Sequence, residues 1–247
     1  MGRLDNKKIV VCGGSTGIGH AVSALAEKEG AMVLNLDLRG TDEFKTYKCN
    51  LTDLASTCDA IDTLLSDHST IDGMVNAVRL RGQDNAATLE GMTSQIMDEV
   101  RLFLGPLDRL AVSMASKTGG SIVNISSILG RLISIENDFS YHCGKAVMEQ
   151  ATRYYACRFG RSGVRVNAIQ PGLISHGSRE VASSDKEASL YQRLVTQIPS
   201  PSTASPEDVA HAVIFLLSDQ SFFINGEVIT IDGGQSIQEL TSVLNEG

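Results

Sequence analysis

The stretch from Ile9 to Gly19 constrains this chain more than any other: Ile-Val-Val-Cys-Gly-Gly-Ser-Thr-Gly-Ile-Gly, an apolar run that breaks into glycines and then turns helical. A run such as Ile9–Cys12 suits a strand buried on both faces of a parallel sheet. The turn after it needs residues without side chains wherever a ligand must touch the main chain. Gly13, Gly17 and Gly19 meet that need. A helix from Ile18 through Glu29 then aims its positive amino end at a phosphate, which makes the segment a candidate dinucleotide cradle. Three residues lie between Gly13 and Gly17, so the spacing departs from G-x-G-x-x-G, and an isolated glycine cluster is often only a tight strand-to-helix turn. The assignment therefore depends on the rest of the chain.

That rest is compatible with one large α/β domain. The 247 residues, 42% of them hydrophobic, suffice to fill a single core. A net charge of −8 argues against nucleic acid or an anionic membrane as partner, because both require a basic face, and leaves a small molecule as the expected ligand. The five cysteines, Cys12, Cys49, Cys58, Cys143 and Cys157, are odd in number and form no C-x-x-C pair. They indicate neither a disulfide framework nor a zinc site, and a reducing cytoplasm is the expected location. His20, His68, His142, His176 and His211 show no metal-ligand spacing, so no metal is expected. Met1–Lys8 is too polar for a signal peptide, and no apolar run reaches the length of a membrane span.

Strand-like and helical patterns alternate from end to end. Met32–Asp37, Tyr47–Cys49, a run that ends in Val75–Ala77, Ser121–Ile125, Val164–Ile169 and Glu227–Ile231 read as strands. Helical periodicity falls in Leu54–Leu65, from about Ser94 to Met114, from about Ser140 to Arg161, and from Pro206 to Leu217. The segment Leu38–Lys45 is too short for a helical crossover and is expected to be a loop, while Asp53 is placed to cap the helix that follows it. This βα alternation predicts a Rossmann-like, doubly wound parallel sheet in three layers, a single domain over residues 1–247. The irregular segment 173–205, rich in Ser, Thr and charge, falls where a substrate loop would lie.

On those elements sit five motifs in order. Cys12-Gly13-Gly14-Ser15-Thr16-Gly17-Ile18-Gly19 is similar to a T-G-x-x-x-G-x-G loop with Cys for Thr, and Asn124-Ile125-Ser126-Ser127 to N-x-S-S. Tyr141-His142-Cys143-Gly144-Lys145 is a Y-x-x-x-K, followed by Asn167-Ala168-Ile169-Gln170-Pro171-Gly172 and the tail Asp232-Gly233-Gly234. Together they resemble the short-chain dehydrogenase/reductase family over nearly the whole chain. The resemblance implies a nicotinamide dinucleotide held by Gly13, Ser15, Thr16, Gly17, Ile18, Gly19, Asp37, Asn50, Leu51, Asn76, Ala77, Pro171, Gly172 and Ile174, with Tyr141 and Lys145 completing the site. It also implies a homotetramer or homodimer built through the two long helices. Ser127, Tyr141 and Lys145 are the implied catalytic residues; the connection from Ser127 to Tyr141 is one residue longer than the family pattern, which keeps Ser126 as the alternative.

Part of this chemistry follows from the residues themselves. Four positions apart on a helix, Tyr141 and Lys145 share a face, and an ammonium beside a phenol favours its ionised form. Because a free phenol has a pKa of about 10, that help is needed for proton transfer near neutral pH. Asp37, at the end of the second strand, can accept both hydroxyls of an adenosine ribose and would repel a 2′-phosphate, which favours NAD over NADP; Arg39 offers a phosphate some countercharge in return. Asn50-Leu51-Thr52-Asp53 resembles the family's D-x-T-D and places Asn50 or Leu51 at the adenine edge.

Two positions depart from the family pattern. Asn76-Ala77-Val78-Arg79 replaces the glycine of N-N-A-G with a cation, and the active-site Asn expected on the first long helix is absent, with Asp98 and Glu99 in its neighbourhood. Either carboxylate can hold a water on a proton path, or disturb Lys145. His176 stands where the family often carries a Thr for the carboxamide. The sequence thus predicts an NAD(H)-dependent oxidoreductase that interconverts a secondary alcohol and a ketone on a small organic molecule. The alternative is a regulatory or scaffold protein that kept the dinucleotide cradle and lost efficient catalysis.

Overall fold

Alternation along β1 (Lys8–Cys12) divides the interior in two: Val10 and Cys12 enter one apolar cluster, Ile9 and Val11 the other, and all four are fully buried. The computed structural model describes residues 2–80, 88–175 and 192–239. After β1 come α1 (Gly17–Lys28), β2 (Met32–Asp37), β3 (Lys45–Lys48), α2 (Leu54–Asp67), β4 (Gly73–Asn76), α3 (Leu89–Ala115), β5 (Gly120–Ile125), α4 (Phe139–Phe159), β6 (Val164–Pro171), α5 (Pro206–Leu217) and β7 (Val228–Ile231).

The strands form one seven-stranded sheet in the order β3-β2-β1-β4-β5-β6-β7, every pair parallel. Helices α2, α3 and α4 cover one face and α1 and α5 the other, the three-layer Rossmann-like arrangement that the alternation predicts. Large side chains such as Phe103, Leu107 and Leu110 of α3 and Val213 and Ile214 of α5 are fully or almost fully buried. Each such burial stabilises the fold by roughly 1.5–3 kcal/mol before conformational entropy is counted. Strand order reverses between β1 and β4, whose ends Cys12 and Asn76 are in register. In an open parallel sheet the ligand crevice lies outside the carboxyl ends of the two strands at such a reversal.

Local chemistry sets the element ends. Asp53 caps α2 as expected, its Oδ1 accepting from the Ala55 N–H at 2.9 Å, and residues between β2 and β3 form the expected loop. The first long helix begins at Leu89, earlier than its apolar periodicity shows, because Thr88 supplies the cap through Gly91 N–H at 3.1 Å. It continues through Pro106, which removes one backbone donor without ending the helix. The fourth strand, expected to end in Val75–Ala77, runs Gly73–Asn76, and Gly73 joins the sheet where a side chain would strike Ile9. No helix among the described residues is long and apolar enough to cross a membrane.

Candidate active site

The glycine turn lies at the β1 end of the crevice. Gly13 has φ of 81°, a left-handed conformation that favours glycine, and its N–H donates to the Leu36 carbonyl at 3.0 Å. Gly19 allows the closest approach: a Cβ there would lie 2.1 Å from the Gly13 carbonyl oxygen. Thr16 enters α1 extended and its side chain caps nothing, and the first turn carries no acidic residue. The donor end of α1 is thus free of a competing side-chain acceptor, and the turn fits a pyrophosphate. Ile18 packs on the α1/α5 cluster and anchors the turn from below.

The Asp37 carboxylate is fixed facing this turn. It accepts from the backbone N–H of Ser15 at 3.1 Å and of Arg39 at 3.0 Å, while the Ser15 hydroxyl donates to the Arg39 carbonyl at 2.9 Å. Cys12, in the place of the family's Thr, is fully buried, and burial pushes its thiol well above its ordinary value, so it adds no charge beneath the cradle. Ala77 donates its N–H to the Cys12 carbonyl at 3.0 Å, and its own carbonyl lies against Gly13.

Other predicted cofactor residues have structural partners. The Asn76 amide donates to Asn124 Oδ1 at 2.7 Å, and Asn124 in turn donates to Thr152 Oγ1 at 2.9 Å, tying β4, β5 and α4 together. Asn50 Oδ1 accepts from the Thr52 N–H and hydroxyl, and the Leu51 side chain is buried in the α2/α3/α4 cluster. The Asn50 main chain is engaged as well, its N–H donating to Ser56 Oγ at 3.1 Å and its carbonyl accepting from the Asp53 N–H at 3.0 Å. At the end of β6, Gly172 packs so closely on Asp232 that a Cβ would lie 2.6 Å from it, and Leu173 N–H donates to Gln235 Oε1 at 3.1 Å. The Asp232 carboxylate accepts from the Gly234 and Ser236 N–H groups. The Asp232-Gly233-Gly234 tail thus buttresses Pro171 and Gly172, and Ile174 bridges to Ala204. His176 lies outside the described residues.

Ser127, Tyr141 and Lys145 meet where β5 ends and α4 begins. Tyr141 lies in the first turn of α4, with Ser127 close enough for its hydroxyl to favour the phenolate. Lys145 is buried, its Nζ 5.6 Å from the Tyr141 ring centroid and donating to the Ile125 carbonyl at 2.8 Å. Ser126 points elsewhere: its hydroxyl donates to Glu149 at 2.9 Å, a buried carboxylate that also accepts from Gln170 at 2.7 Å. Of the two serines, Ser127 is the one at the tyrosine. The longer connection between them is held by His142, whose Nε2 accepts from Ser134 N–H at 3.1 Å and whose Nδ1–H donates to the Asp138 carbonyl at 3.0 Å.

The electrostatics differ from the simple pairing of ammonium and phenol. Burial is the main influence on Tyr141 and pushes its pKa up; the Ser127 hydrogen bond and the Arg79 guanidinium oppose it, and Glu99 adds to it. Lys145 is pushed down to about 8 by burial, with Glu99 raising it and Arg79 lowering it further. Between Asp98 and Glu99 the fold chooses Glu99. Asp98 pairs with Arg101 at 3.1 Å, whereas Glu99 is buried, accepts from the Leu80 N–H and packs on Gly144, where a Cβ would lie 2.7 Å from the glutamate Cβ. Burial raises the Glu99 pKa. Sequence reasoning missed Glu149 and the placement of Arg79 over Tyr141. The first was visible as a carboxylate four residues beyond Lys145 on the same helix; the second had no local signal.

A family model described as enoyl-(acyl carrier protein) reductase matches residues 13–236. A curated relative, dehydrogenase/reductase SDR family member 6 of Xenopus laevis, is 30% identical over 250 residues that cover 96% of this chain and all of that protein (100%). This chain belongs to the short-chain dehydrogenase/reductase family. Another similar protein, 2-(S)-hydroxypropyl-CoM dehydrogenase 3 of Xanthobacter autotrophicus, is 30% identical over 252 residues, 95% of this chain and 98% of its own length. Among solved structures, a short-chain type dehydrogenase/reductase from Mycobacterium ulcerans superimposes with a TM-score of 0.82 at 27% identity, covering 98% of this chain and 95% of that one. Family membership makes the protein an oxidoreductase acting on small molecules with a nicotinamide dinucleotide, and the glycine turn and α1 donor end fit such a group.

Proposed function

We propose that this short-chain dehydrogenase/reductase interconverts a secondary alcohol and a ketone on a small organic molecule with NAD(H), Tyr141 serving as general acid or base. The observation that carries the reading is the meeting of Ser127, Tyr141 and Lys145 at the carboxyl edge of the sheet that bears the glycine cradle. A binding-only protein has no need of that constellation. The preference for NAD is supported by Asp37, whose carboxylate is held by two backbone N–H groups facing the cradle, where it accepts ribose hydroxyls and repels a 2′-phosphate.

A bound nicotinamide dinucleotide would supply the hydride chemistry, taking a hydride from an alcohol carbon when oxidised and giving one to a carbonyl carbon when reduced. Tyr141 Oη takes the alcohol proton in one direction and gives it back in the other. The Ser127 hydroxyl, near enough to the phenol to favour its ionised form, would orient the reacting oxygen beside it. Lys145, held by the Ile125 carbonyl with its Nζ 5.6 Å from the Tyr141 ring centroid, supplies positive charge beside the phenol and would hold the nicotinamide ribose. Pro171, Gly172 and Ile174 would border the nicotinamide; of the substrate loop expected over 173–205, residues 176–191 lie outside the described residues. The exposed apolar residues Met97 and Val112 of α3 and Val147 and Tyr154 of α4 favour assembly into a homodimer or homotetramer through these helices. All five cysteines are free thiols, in keeping with a cytoplasmic site of action.

Tyr141→Phe tests the mechanism. It keeps the ring and should leave NAD binding nearly intact while lowering turnover by about a hundred- to ten-thousandfold on any substrate found in a screen of alcohols and ketones followed by NADH absorbance. Unchanged turnover in this variant would refute the acid/base role.

A further inference from the structure

The two departures from the family pattern, Arg79 and Glu99, converge on the same pair of side chains. Arg79 follows β4 and is exposed, its guanidinium carbon 6.0 Å from the Tyr141 ring centroid. Glu99 reaches in from α3, buried against Gly144, with the Leu80 N–H next to Arg79 donating to its carboxylate. We propose that Arg79 and Glu99 act as one charge-compensating unit of positioning residues, which together set how readily Tyr141 and Lys145 exchange their protons. The inference rests on the reading of Tyr141 as acid or base and goes beyond it.

Each departure alone would impair the site. A buried carboxylate without Arg79 disfavours a phenolate on Tyr141; a second cation without Glu99 disfavours an ammonium on Lys145. Together they offset one another on both groups. Arg79 lowers and Glu99 raises the Tyr141 pKa, and the same opposition acts on Lys145. The other charged groups nearby are already committed. Asp98 of α3 turns to Arg101, and Glu149 of α4 is held by Ser126 and Gln170 on the inner side of Lys145. A neutral glycine and asparagine in the family pattern are thus replaced by a matched pair of opposite sign.

The test is a titration cycle over wild type, Arg79→Gln, Glu99→Gln and the double variant, all near in shape to the parent, with Arg79→Lys as the conservative control. The Lys145 amine is followed by NMR of Nζ-labelled lysine, assigned with Lys145→Met, at a pH range the fold tolerates because its midpoint lies at about 8. Tyr141 is followed by phenolate absorbance, each spectrum taken against the same variant carrying Tyr141→Phe. Arg79→Gln should raise both midpoints and Glu99→Gln lower both, by about one pH unit or less for the exposed arginine; the double variant should return near wild type and Arg79→Lys should stay there. Single variants that shift Lys145 in the same direction, or not at all, overturn the proposal. So does a double variant displaced further than either single. Failure of the acid/base reading is separately visible, as turnover that survives Tyr141→Phe while the titration cycle behaves as expected.

Discussion

Asp37 shows how one side chain can carry a cofactor preference. Its two oxygens are held by the Ser15 and Arg39 N–H groups, so the carboxylate stands ready-oriented at the end of β2. Asp37→Ala should weaken NAD binding by roughly 10- to 100-fold, the worth of charge-assisted hydrogen bonds to a ribose, and should narrow the gap to NADP by removing the repulsive group. Fluorescence titration with both dinucleotides checks this; a wild type that already binds NADPH more tightly would defeat the argument from Asp37. At this scale short-range pattern offers candidates without choosing between neighbours. Ser126 and Ser127 differ by one strand step, and Asp98 and Glu99 by about 100° around a helix, so only the fixed rotation of each element selects Ser127 and Glu99.

The cradle depends on elements that never touch a ligand. Helix α5 packs on α1, the helix of the cradle, with Val209, Val213 and Ile214 in the cluster they share, and its amino end is closed by a capping box. Asp208 Oδ2 accepts from the Ser205 N–H at 2.8 Å, and Ser205 Oγ accepts from the Asp208 N–H at 3.3 Å. Ser205→Ala should therefore cost about 1 kcal/mol of stability, seen as a lower urea midpoint at unchanged m-value. A variant as stable as wild type would show the box to be dispensable. Pro206 and the following acids made this end legible in the sequence. The start of α3 was not, because its opening turn from Leu89 lacks a marked apolar stripe and the Thr88 cap becomes apparent only with the chain direction known.

Over the whole molecule, buried thiols give stability a dependence on alkaline pH. Burial raises Cys49 from 9.0 to about 11 and holds Cys12 well above its ordinary value. A folded-state pKa above the unfolded one means stability is fully present below pH 9 and is lost as pH climbs through the folded value. Lys145 acts in the opposite sense, because its pKa falls from 10.5 to about 8 on folding and its unfavourable contribution is relieved as pH rises through that window. A comparison with Cys49→Ala isolates the thiol: the variant should lose less stability than wild type between pH 9 and about 11, by urea unfolding, and show no such difference below pH 9. Parallel pH curves would exclude Cys49. The sequence alone determined what short-range spacing can encode. Apolar runs and glycine positions specified the order of strands and helices and the cradle, and a separation of four residues put Tyr141 and Lys145 on one helical face. Tertiary structure decided which groups from distant segments share a space: Arg79 over Tyr141, Glu99 against Gly144, Asn76 bound to Asn124, and Glu149 beneath Ser126. Those contacts depend on strand register and on the rotation of α3 against α4, where a one-residue shift turns a side chain to another face, and burial then fixes its charge.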